Sequence, residues 1–91
     1  MIMGKLVDTM KALAHPTRIQ MAVLMRNMGE VQVGQLQELT KVKQSLASQQ
    51  LTIMRRAGVI SARRQGNCVY YKLMPRLTAL VDAISEVRDG G

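Results

Sequence analysis

Five uncharged polar residues recur at helical spacing between Lys41 and Gly58. They are Gln44, Ser45, Ser48, Gln49 and Thr52. Amides and hydroxyls both donate and accept hydrogen bonds, as reading base edges in a DNA major groove requires. Apolar Ala47, Leu51 and Met54 recur at i, i+4 and i+7 on the opposite side, which should pack on a core. The pattern predicts a helix whose polar face contacts bases, with a solvated surface helix as the alternative.

Basic residues surround this polar face and recur further along the chain. Lysine and arginine bind phosphate oxygens, so we expect them to hold the DNA backbone while amides and hydroxyls read bases. Because the N-terminal residues of such a helix reach deepest into the groove, the base-contact candidates are Gln44, Ser45, Ser48 and Gln49. The candidates for phosphate or minor-groove contact are Lys41, Lys43, Thr52, Arg55, Arg63, Arg64 and Asn67. For the arginines at positions 63 and 64, the alternative is a solvated charge on an exposed hairpin.

The overall charge favours an anionic partner. The 91 residues include 13 Lys and Arg against 6 Asp and Glu, a net charge of +7, and the isoelectric point is about 10.4. Nucleic acid and an acidic membrane surface both satisfy that charge. A membrane-surface protein would need one strongly basic amphipathic helix with bulky apolar anchors, whereas here the basic residues are spread over several segments. We therefore predict double-stranded DNA as the partner, and no membrane association.

Length and cysteine content restrict the class of protein further. We expect residues 1–91 to form one small domain, since this length leaves no room for a second one within them. No apolar run is long enough to span a bilayer, and Lys5, Asp8 and Lys11 interrupt the first segment, which lacks the apolar centre of a signal peptide. The single Cys68 excludes an intramolecular disulfide and a multi-cysteine zinc site. We expect a bacterial-type cytoplasmic protein that joins the nucleoid when it binds DNA.

Apolar periodicity predicts five helices and one hairpin. The first helix ends before Pro16, because the residue before a proline avoids helical geometry, and Pro16 then starts a second helix that Gly29 ends. A short third helix, a turn at residues 40–43 and the polar-faced fourth helix follow. After Gly58 the period changes to two, which predicts strands at residues 59–64 and 68–73, and a fifth helix starts near Pro75. This order is that of a winged helix-turn-helix, mainly α with a small β-hairpin.

Three stretches of the chain carry a pattern that covers several elements. They are KALAHPTRIQMAVLM in the first two helices, QSLASQQLTIMRRAGVI through the fourth helix and RRQGNCVYYKL in the hairpin. Together they resemble the ArsR/SmtB family of bacterial repressors. The resemblance covers nearly the whole chain and implies a homodimer built from the first and last helices. It also implies that the fourth helix enters the major groove, that the hairpin contacts the flanking backbone, and that an effector releases the protein from its operator.

The terminal helices favour a dimer on physical grounds as well. Both carry apolar stripes that one small core can hardly cover, so we expect their outer parts to meet a second copy of the chain. The interface candidates are Leu6, Met10, Leu13, Leu77, Leu80, Val81 and Ile84. A two-fold dimer would place its recognition helices about 34 Å apart and would bind an inverted repeat. The alternative is a monomer whose own core holds both stripes.

The chain departs from the family pattern in its recognition helix and at both familiar metal sites. Lys43 stands where a capping serine is usual and weakens the helix start, because lysine cannot accept a hydrogen bond, and Gln50 stands where a histidine is common. Residues 33–36 lack the Cys-x-Cys pair of the members that sense arsenic, cadmium or lead, and the last helix offers Asp82 and Glu86 without a histidine. We therefore predict no metal and no cofactor, and we expect the two altered residues to change which operator is read.

His15 and Cys68 are the two single residues whose chemistry could support a further role. His15 precedes Pro16 at the expected N-cap and has no partner for metal binding or catalysis. Cys68 lies beside the basic tip of the hairpin, where its oxidation would link redox state to DNA binding; inert packing is the alternative.

No enzyme is predicted, because no nucleophile with a base and no glycine-rich phosphate loop is present. The second hypothesis is a winged helix that binds a protein partner and shows little salt dependence.

Overall fold

Five α-helices and one hairpin follow one another in the predicted order within residues 2–90, the part of the chain that the computed structural model describes, with side chains from residue 3 to residue 87. The helices are α1 (Ile2–Leu13), α2 (Pro16–Met28), α3 (Val33–Thr40), α4 (Gln44–Arg56) and α5 (Thr78–Gly90), and the strands are β1 (Ile60–Gln65) and β2 (Cys68–Leu73). A 3-10 turn, Pro75–Leu77, leads into α5. The prediction of a mainly α winged helix-turn-helix is therefore confirmed.

Local sequence signals set the boundaries of α2. His15 is its N-cap, and the Nδ1 atom of the imidazole accepts a hydrogen bond of 3.2 Å from the backbone N–H of Thr17. Pro16 occupies the first turn, where its missing N–H leaves no hydrogen bond unmade. Gly29 ends the helix with φ +84°, a conformation that a side chain would strain. The single histidine is thus a helix cap.

The hairpin is closed by a two-residue turn. Gln65 pairs with Cys68, which leaves Gly66 and Asn67 as the turn, and Gly66 has the positive φ (+61°) that a tight hairpin turn needs at its first position. β1 begins one residue later than predicted, because the N–H of Val59 is bonded to the carbonyl oxygen of Met54 (2.9 Å) at the end of α4. The hairpin of β1 and β2, here called the wing, is therefore attached without a flexible linker to α4, here called the recognition helix.

A single residue outside the hairpin extends the sheet. Val31, in the segment between α2 and α3, exchanges two backbone hydrogen bonds of 2.9 and 2.7 Å with Tyr71 of β2. Val31 is fully buried. Period-two reasoning could not find this bridge, since one residue has no period. It fixes the base of the wing to the end of α2.

Methionine and aliphatic residues fill the core. Met21 and Met25 of α2 and Met54 of α4 are fully buried, whereas Met28 is exposed at the end of α2. They pack with aliphatic side chains from every helix and from β1 and β2. Because unbranched methionine adapts to irregular gaps, the core closes without phenylalanine or tryptophan.

Three of the predicted interface residues belong to this core. Leu13, Leu77 and Val81 are 4%, 8% and 1% exposed. The prediction that they face a partner is wrong in this respect, because their side chains already pack inside their own chain. Helical periodicity marks an apolar stripe but cannot tell which of two neighbours the stripe meets. Leu6 and Met10 are exposed, and Leu80 and Ile84 are half-buried.

Candidate nucleic-acid interface

The exposed side of α4 carries the predicted base-contact residues. Gln44, Ser45, Ser48 and Gln49, here called the recognition face, are all exposed. The opposite side of the helix is buried through Ala47, Gln50, Leu51 and Met54. Thr52 is half-buried, and its hydroxyl donates a hydrogen bond of 2.9 Å to the carbonyl oxygen of Ser48. The hydroxyl oxygen of Thr52 therefore keeps only acceptor capacity for an outside partner.

A partly buried arginine links α4 to the first two helices. Arg18 of α2 donates from Nη1 to Oε1 of Gln50 (2.7 Å) and from Nε to the carbonyl oxygen of Ala12. Gln50 is only 6% exposed. The amide of Gln50 faces inward and binds Arg18, so Gln50 is not placed to contact a base. Its effect on operator reading stays a prediction that acts through the placement of α4. No sequence pattern indicates this pair, whose members are 32 positions apart.

The turn before α4 directs two lysines outward. Lys41 has φ +63°, the left-handed conformation that ends α3, and its N–H bonds to the carbonyl oxygen of Gln37 (2.8 Å). Half-buried Val42 packs on the core between Lys41 and Lys43, and both lysines are exposed. Lys43 is the N-cap of α4 and makes no side-chain cap hydrogen bond, as predicted. Its ammonium and the free first-turn N–H groups of α4 therefore concentrate positive charge at the start of the recognition face.

The wing carries its two arginines on opposite faces. Arg63 pairs across the strands with Tyr70 and lies over its ring, with the guanidinium carbon 4.7 Å from the ring centre. From there Arg63 binds both carboxylate oxygens of Glu30 at 2.9 and 3.1 Å, and its Nη1 donates to Gln65 (2.6 Å). Arg64 pairs with Val69 and points to the other side of the sheet. Arg64 and Asn67 are exposed at the tip.

The ion pair changes the protonation chemistry of both partners. The hydrogen bond from Arg63 lowers the pKa of Glu30 below its ordinary value, and the hydrogen bond to Glu30 raises the pKa of Arg63. The pair therefore stays ionised at neutral pH, and the carboxylate offsets the charge of Arg63. Sequence reasoning missed Glu30, since no pattern links it to a strand residue 33 positions away.

An exposed apolar surface runs along α1 and continues onto α5. It consists of Met3, Leu6, Val7 and Met10 on α1 together with Leu80, Ile84 and Val87 on α5, and we call it the apolar patch. A shallow groove of about 180 Å³ crosses it between Met10 and Leu80. A larger groove of about 680 Å³ adjoins it, lined by His15, Ile19, Ile84 and Val87 among others. Apolar surface of this extent on a small domain indicates a protein–protein contact.

Asp82 and Glu86 of α5 and the single cysteine have ordinary surroundings. Asp82 accepts two hydrogen bonds from Arg26 at 2.9 and 3.2 Å, and Glu86 is exposed. Among the side chains described, no three from His, Cys, Asp and Glu come together as metal ligands. Cys68 is half-buried at the start of β2. Its redox role stays a prediction.

No helix among the described residues is both long and apolar enough to cross a bilayer.

Comparison with known proteins places this architecture among bacterial regulators. Residues 15–62 match the family model described as bacterial regulatory protein, arsR family. A biofilm growth-associated repressor from Agrobacterium fabrum is 36% identical over 76 residues, which cover 82% of this chain and 64% of the repressor. An arsenic resistance transcriptional regulator from Pseudomonas putida is 38% identical over 74 residues, covering 81% of this chain and 58% of that protein. The chain thus spans less than two thirds of the length of either relative.

Solved structures share the fold over almost the entire chain. The homodimeric winged helix-turn-helix DNA-binding domain of Mb0332 from Mycobacterium bovis, described as a possible ArsR-family transcriptional regulator, superposes with a TM-score of 0.87. It is 27% identical, and the match covers 97% of this chain and 82% of that domain. HlyU from Vibrio cholerae has a TM-score of 0.85 at 28% identity, with 92% and 91% of the two chains covered.

Proposed function

Since this chain belongs to the arsR family of bacterial regulatory proteins, we propose that it is a homodimeric transcriptional repressor that binds an inverted-repeat DNA operator. The observation that carries the proposal is the recognition face, which presents four uncharged hydrogen-bonding side chains to solvent. The opposite side of the same helix is buried in the core. Such groups discriminate base pairs in the major groove, where each pair presents a distinct pattern of donors and acceptors. Occupancy of the operator would exclude other proteins from the same DNA. The activity is regulation, and we assign no catalytic step.

The recognition face makes the base contacts in this proposal, and basic groups around it bind phosphate. At the helix start, Lys41 and Lys43 stand on either side of the turn residue Val42 and meet the backbone there. Further phosphate contacts come from Arg55, Arg64 and Asn67. Thr52 is not among them, because its hydroxyl hydrogen is donated to Ser48 and phosphate oxygens only accept. Arg63 takes a different role, since Glu30 already holds its guanidinium. We assign Arg63 and Glu30 to positioning the wing.

The apolar patch is the surface that a second copy of the chain would cover. Leu6 and Met10 are 47% and 56% exposed, and a monomer would leave them in water. A domain of this size has little stability to spare, so association through this surface is favourable. The homodimeric state of the Mycobacterium bovis domain, matched over 97% of this chain, supports the same assembly. Two-fold symmetry then requires two half-sites in inverted orientation.

We propose no metal or other cofactor for this repressor. The third and last helices contain neither cysteine nor histidine, the residues that first-row transition metals prefer. The carboxylate of Asp82 is already paired with Arg26. The protein would act in the bacterial cytoplasm, where it meets chromosomal DNA.

Selection of bound sequences from random duplex DNA at two salt concentrations tests operator binding. We expect an inverted repeat whose half-site centres lie about one helical turn apart or a multiple of it, with affinity falling steeply as salt rises. Weak binding without a shared motif would contradict the proposal and favour a winged helix that binds a protein partner.

Sedimentation of two matched variants tests the dimer. Leu6 of α1 and Leu39 of α3 are each 47% exposed, but only Leu6 lies in the apolar patch. We expect Leu6→Glu to sediment as a monomer, because two-fold symmetry brings the new carboxylates into one interface, and Leu39→Glu to remain a dimer. A Leu6→Glu variant that stays dimeric would exclude this surface as the interface.

A further inference from the structure

We propose that the DNA-binding surface continues from α4 onto α1, where Lys5, Lys11 and Arg56 bind the phosphate backbone beside the groove that α4 enters. This inference rests on the proposed DNA binding. It extends the binding surface to three residues beyond the C-terminal end of the recognition face. It is carried by a basic cleft between α1 and the end of α4, which none of the contacts assigned above includes.

Helix α1 presents three separate faces. Thr9, Ala12 and Leu13 are buried against the core. The apolar patch occupies a second face, with its residues at positions 3, 6, 7 and 10. Lys5, Asp8 and Lys11 follow one another at i, i+3 and i+6 and therefore share a third face. Because the charged and apolar faces lie on opposite flanks of the buried one, α1 can contact DNA and a second copy at the same time.

The charged face of α1 lies across a cleft from Arg56. One part of the cleft, about 270 Å³, is lined by Lys5, Asp8 and Arg56 among others. The other part, about 450 Å³, is lined by Asp8, Lys11 and Arg56 among others. Since both parts share Asp8 and Arg56, they form one continuous depression between the two helices.

Positive charge dominates this depression. Five basic residues line it, namely Lys5, Lys11, Arg18, Arg56 and Arg76, against the single carboxylate of Asp8. Two of the five are occupied by the protein, because Arg18 binds Gln50 and Arg76 donates to the carbonyl oxygen of Gly58 (3.0 Å). Lys5, Lys11 and Arg56 are exposed and form no ion pair within the described part of the chain. They are the groups available to an external anion.

The position of the depression identifies DNA phosphate as that anion. Arg56 follows Ser45, Gln49 and Thr52 at spacings of four, three and four residues, so it continues the exposed side of α4. The 13 residues of α4 span about 20 Å, whereas the major groove is about 12 Å wide. With the N-terminal half of α4 in the groove, its C-terminal end therefore lies over the flanking backbone, and α1 lies beside that end.

Salt titration of charge-neutralised variants tests the inference. We would measure dissociation constants by fluorescence anisotropy for Lys5→Gln/Lys11→Gln and for Arg56→Gln, on the selected operator and on random duplex. Because phosphate binding is independent of sequence, we expect both DNAs to bind more weakly by a similar factor. The slope of log K against log salt should shrink by about 0.9 for each neutralised phosphate-binding cation, about 1.8 for the double variant.

Lys72→Gln is the matched control. Lys72 is an exposed lysine on β2 that lines a different cleft, beside Glu30, and its removal lowers the net charge by one, as Arg56→Gln does. We expect its salt slope to stay at the wild-type value. Lys5→Arg/Lys11→Arg should restore the slope, since either cation binds phosphate, and sedimentation should show that every variant remains a dimer.

Two results are decisive against the inference. If Lys5→Gln/Lys11→Gln keeps the wild-type slope while Gln49→Ala loses operator preference, the extension onto α1 is wrong and the proposed function stands. If wild-type protein shows neither operator preference nor salt dependence, the proposed function itself is wrong. The extension onto α1 is then wrong as well, because it depends on DNA binding.

Discussion

The recognition face and the wing both present polar side chains to solvent, but only the wing has one of them, Arg63, bonded to another part of the protein. On α4, Gln44 and Gln49 make no hydrogen bond with any other described side chain. On the wing, Arg63 contacts Glu30, Gln65 and the ring of Tyr70. Residue type alone therefore does not show whether a polar group is available to a ligand. Its neighbours in the fold decide that.

The same difference separates two adjacent glutamines of α4. Gln49 points to solvent, whereas Gln50 is buried and binds Arg18, which in turn binds the end of α1. A helix advances about 100° per residue, so neighbours in sequence necessarily face different surroundings. We infer that Gln49 serves recognition and Gln50 serves the placement of the helix.

The largest expected effect follows from removing the buried anchor of α4. Leu51 is 1% exposed, and Leu51→Ala should lower the free energy of unfolding by about 2–5 kcal/mol, because it removes apolar packing and leaves a cavity. Leu46→Ala, on the exposed side of the same helix, should cost less than about 1 kcal/mol. Urea unfolding at one fixed protein concentration measures both. Equal losses would mean that the two sides of α4 are not differently buried.

The glutamine pair gives the next effect and sharpens the comparison within one helix. Gln49→Ala should reduce discrimination between operator and mutated operator by about 1–3 kcal/mol with stability unchanged. Gln50→Ala should instead lower stability by about 1–3 kcal/mol, because it removes the acceptor of the Nη1 group of Arg18 and leaves only the bond from Nε to Ala12. Binding titrations and urea unfolding of both variants separate the two roles. The reverse pattern would overturn the assignment.

The wing arginines give a smaller, electrostatic effect. Arg64→Gln should reduce the slope of log K against log salt by about 0.9, as expected when one cation no longer binds phosphate. Arg63→Gln should leave that slope unchanged, since Glu30 offsets the charge of Arg63. Anisotropy titrations across a range of salt concentrations measure both variants. A reduced slope for Arg63→Gln would show that the guanidinium leaves Glu30 to bind DNA.

The smallest expected effect is the pH dependence of the stability that the ion pair between Arg63 and Glu30 contributes. Because Arg63 lowers the pKa of Glu30 in the folded protein, the pair stabilises the fold fully above the unfolded pKa of glutamate, about 4.3. That contribution is lost as the pH falls through the lowered folded pKa. Thermal melts at stepwise lower pH should show a steeper loss for wild type than for Glu30→Gln. Parallel curves would mean that the ion pair contributes nothing measurable to stability.

Most elements were predictable because their signals are local. Pro16 and Gly29 mark the ends of α2, and the two-residue turn at Gly66 sets the register of the hairpin. The choice of polar residues on α4 also follows from spacing alone, since helical periodicity separates exposed from buried positions. The interface residues were only partly predictable, because Leu13 of the α1 stripe and Val81 of the α5 stripe pack inside the chain.

The sequence by itself determined the order of elements, the net positive charge and the uncharged recognition face, because each depends on composition or on residues close together in the chain. Only the tertiary structure decided that Arg63 is held by Glu30, that Gln50 binds Arg18, and that the charged face of α1 lies across a cleft from Arg56. These pairs join residues at least 32 positions apart. They carry no periodic signal, and they form only when packed helices and strands bring distant segments together.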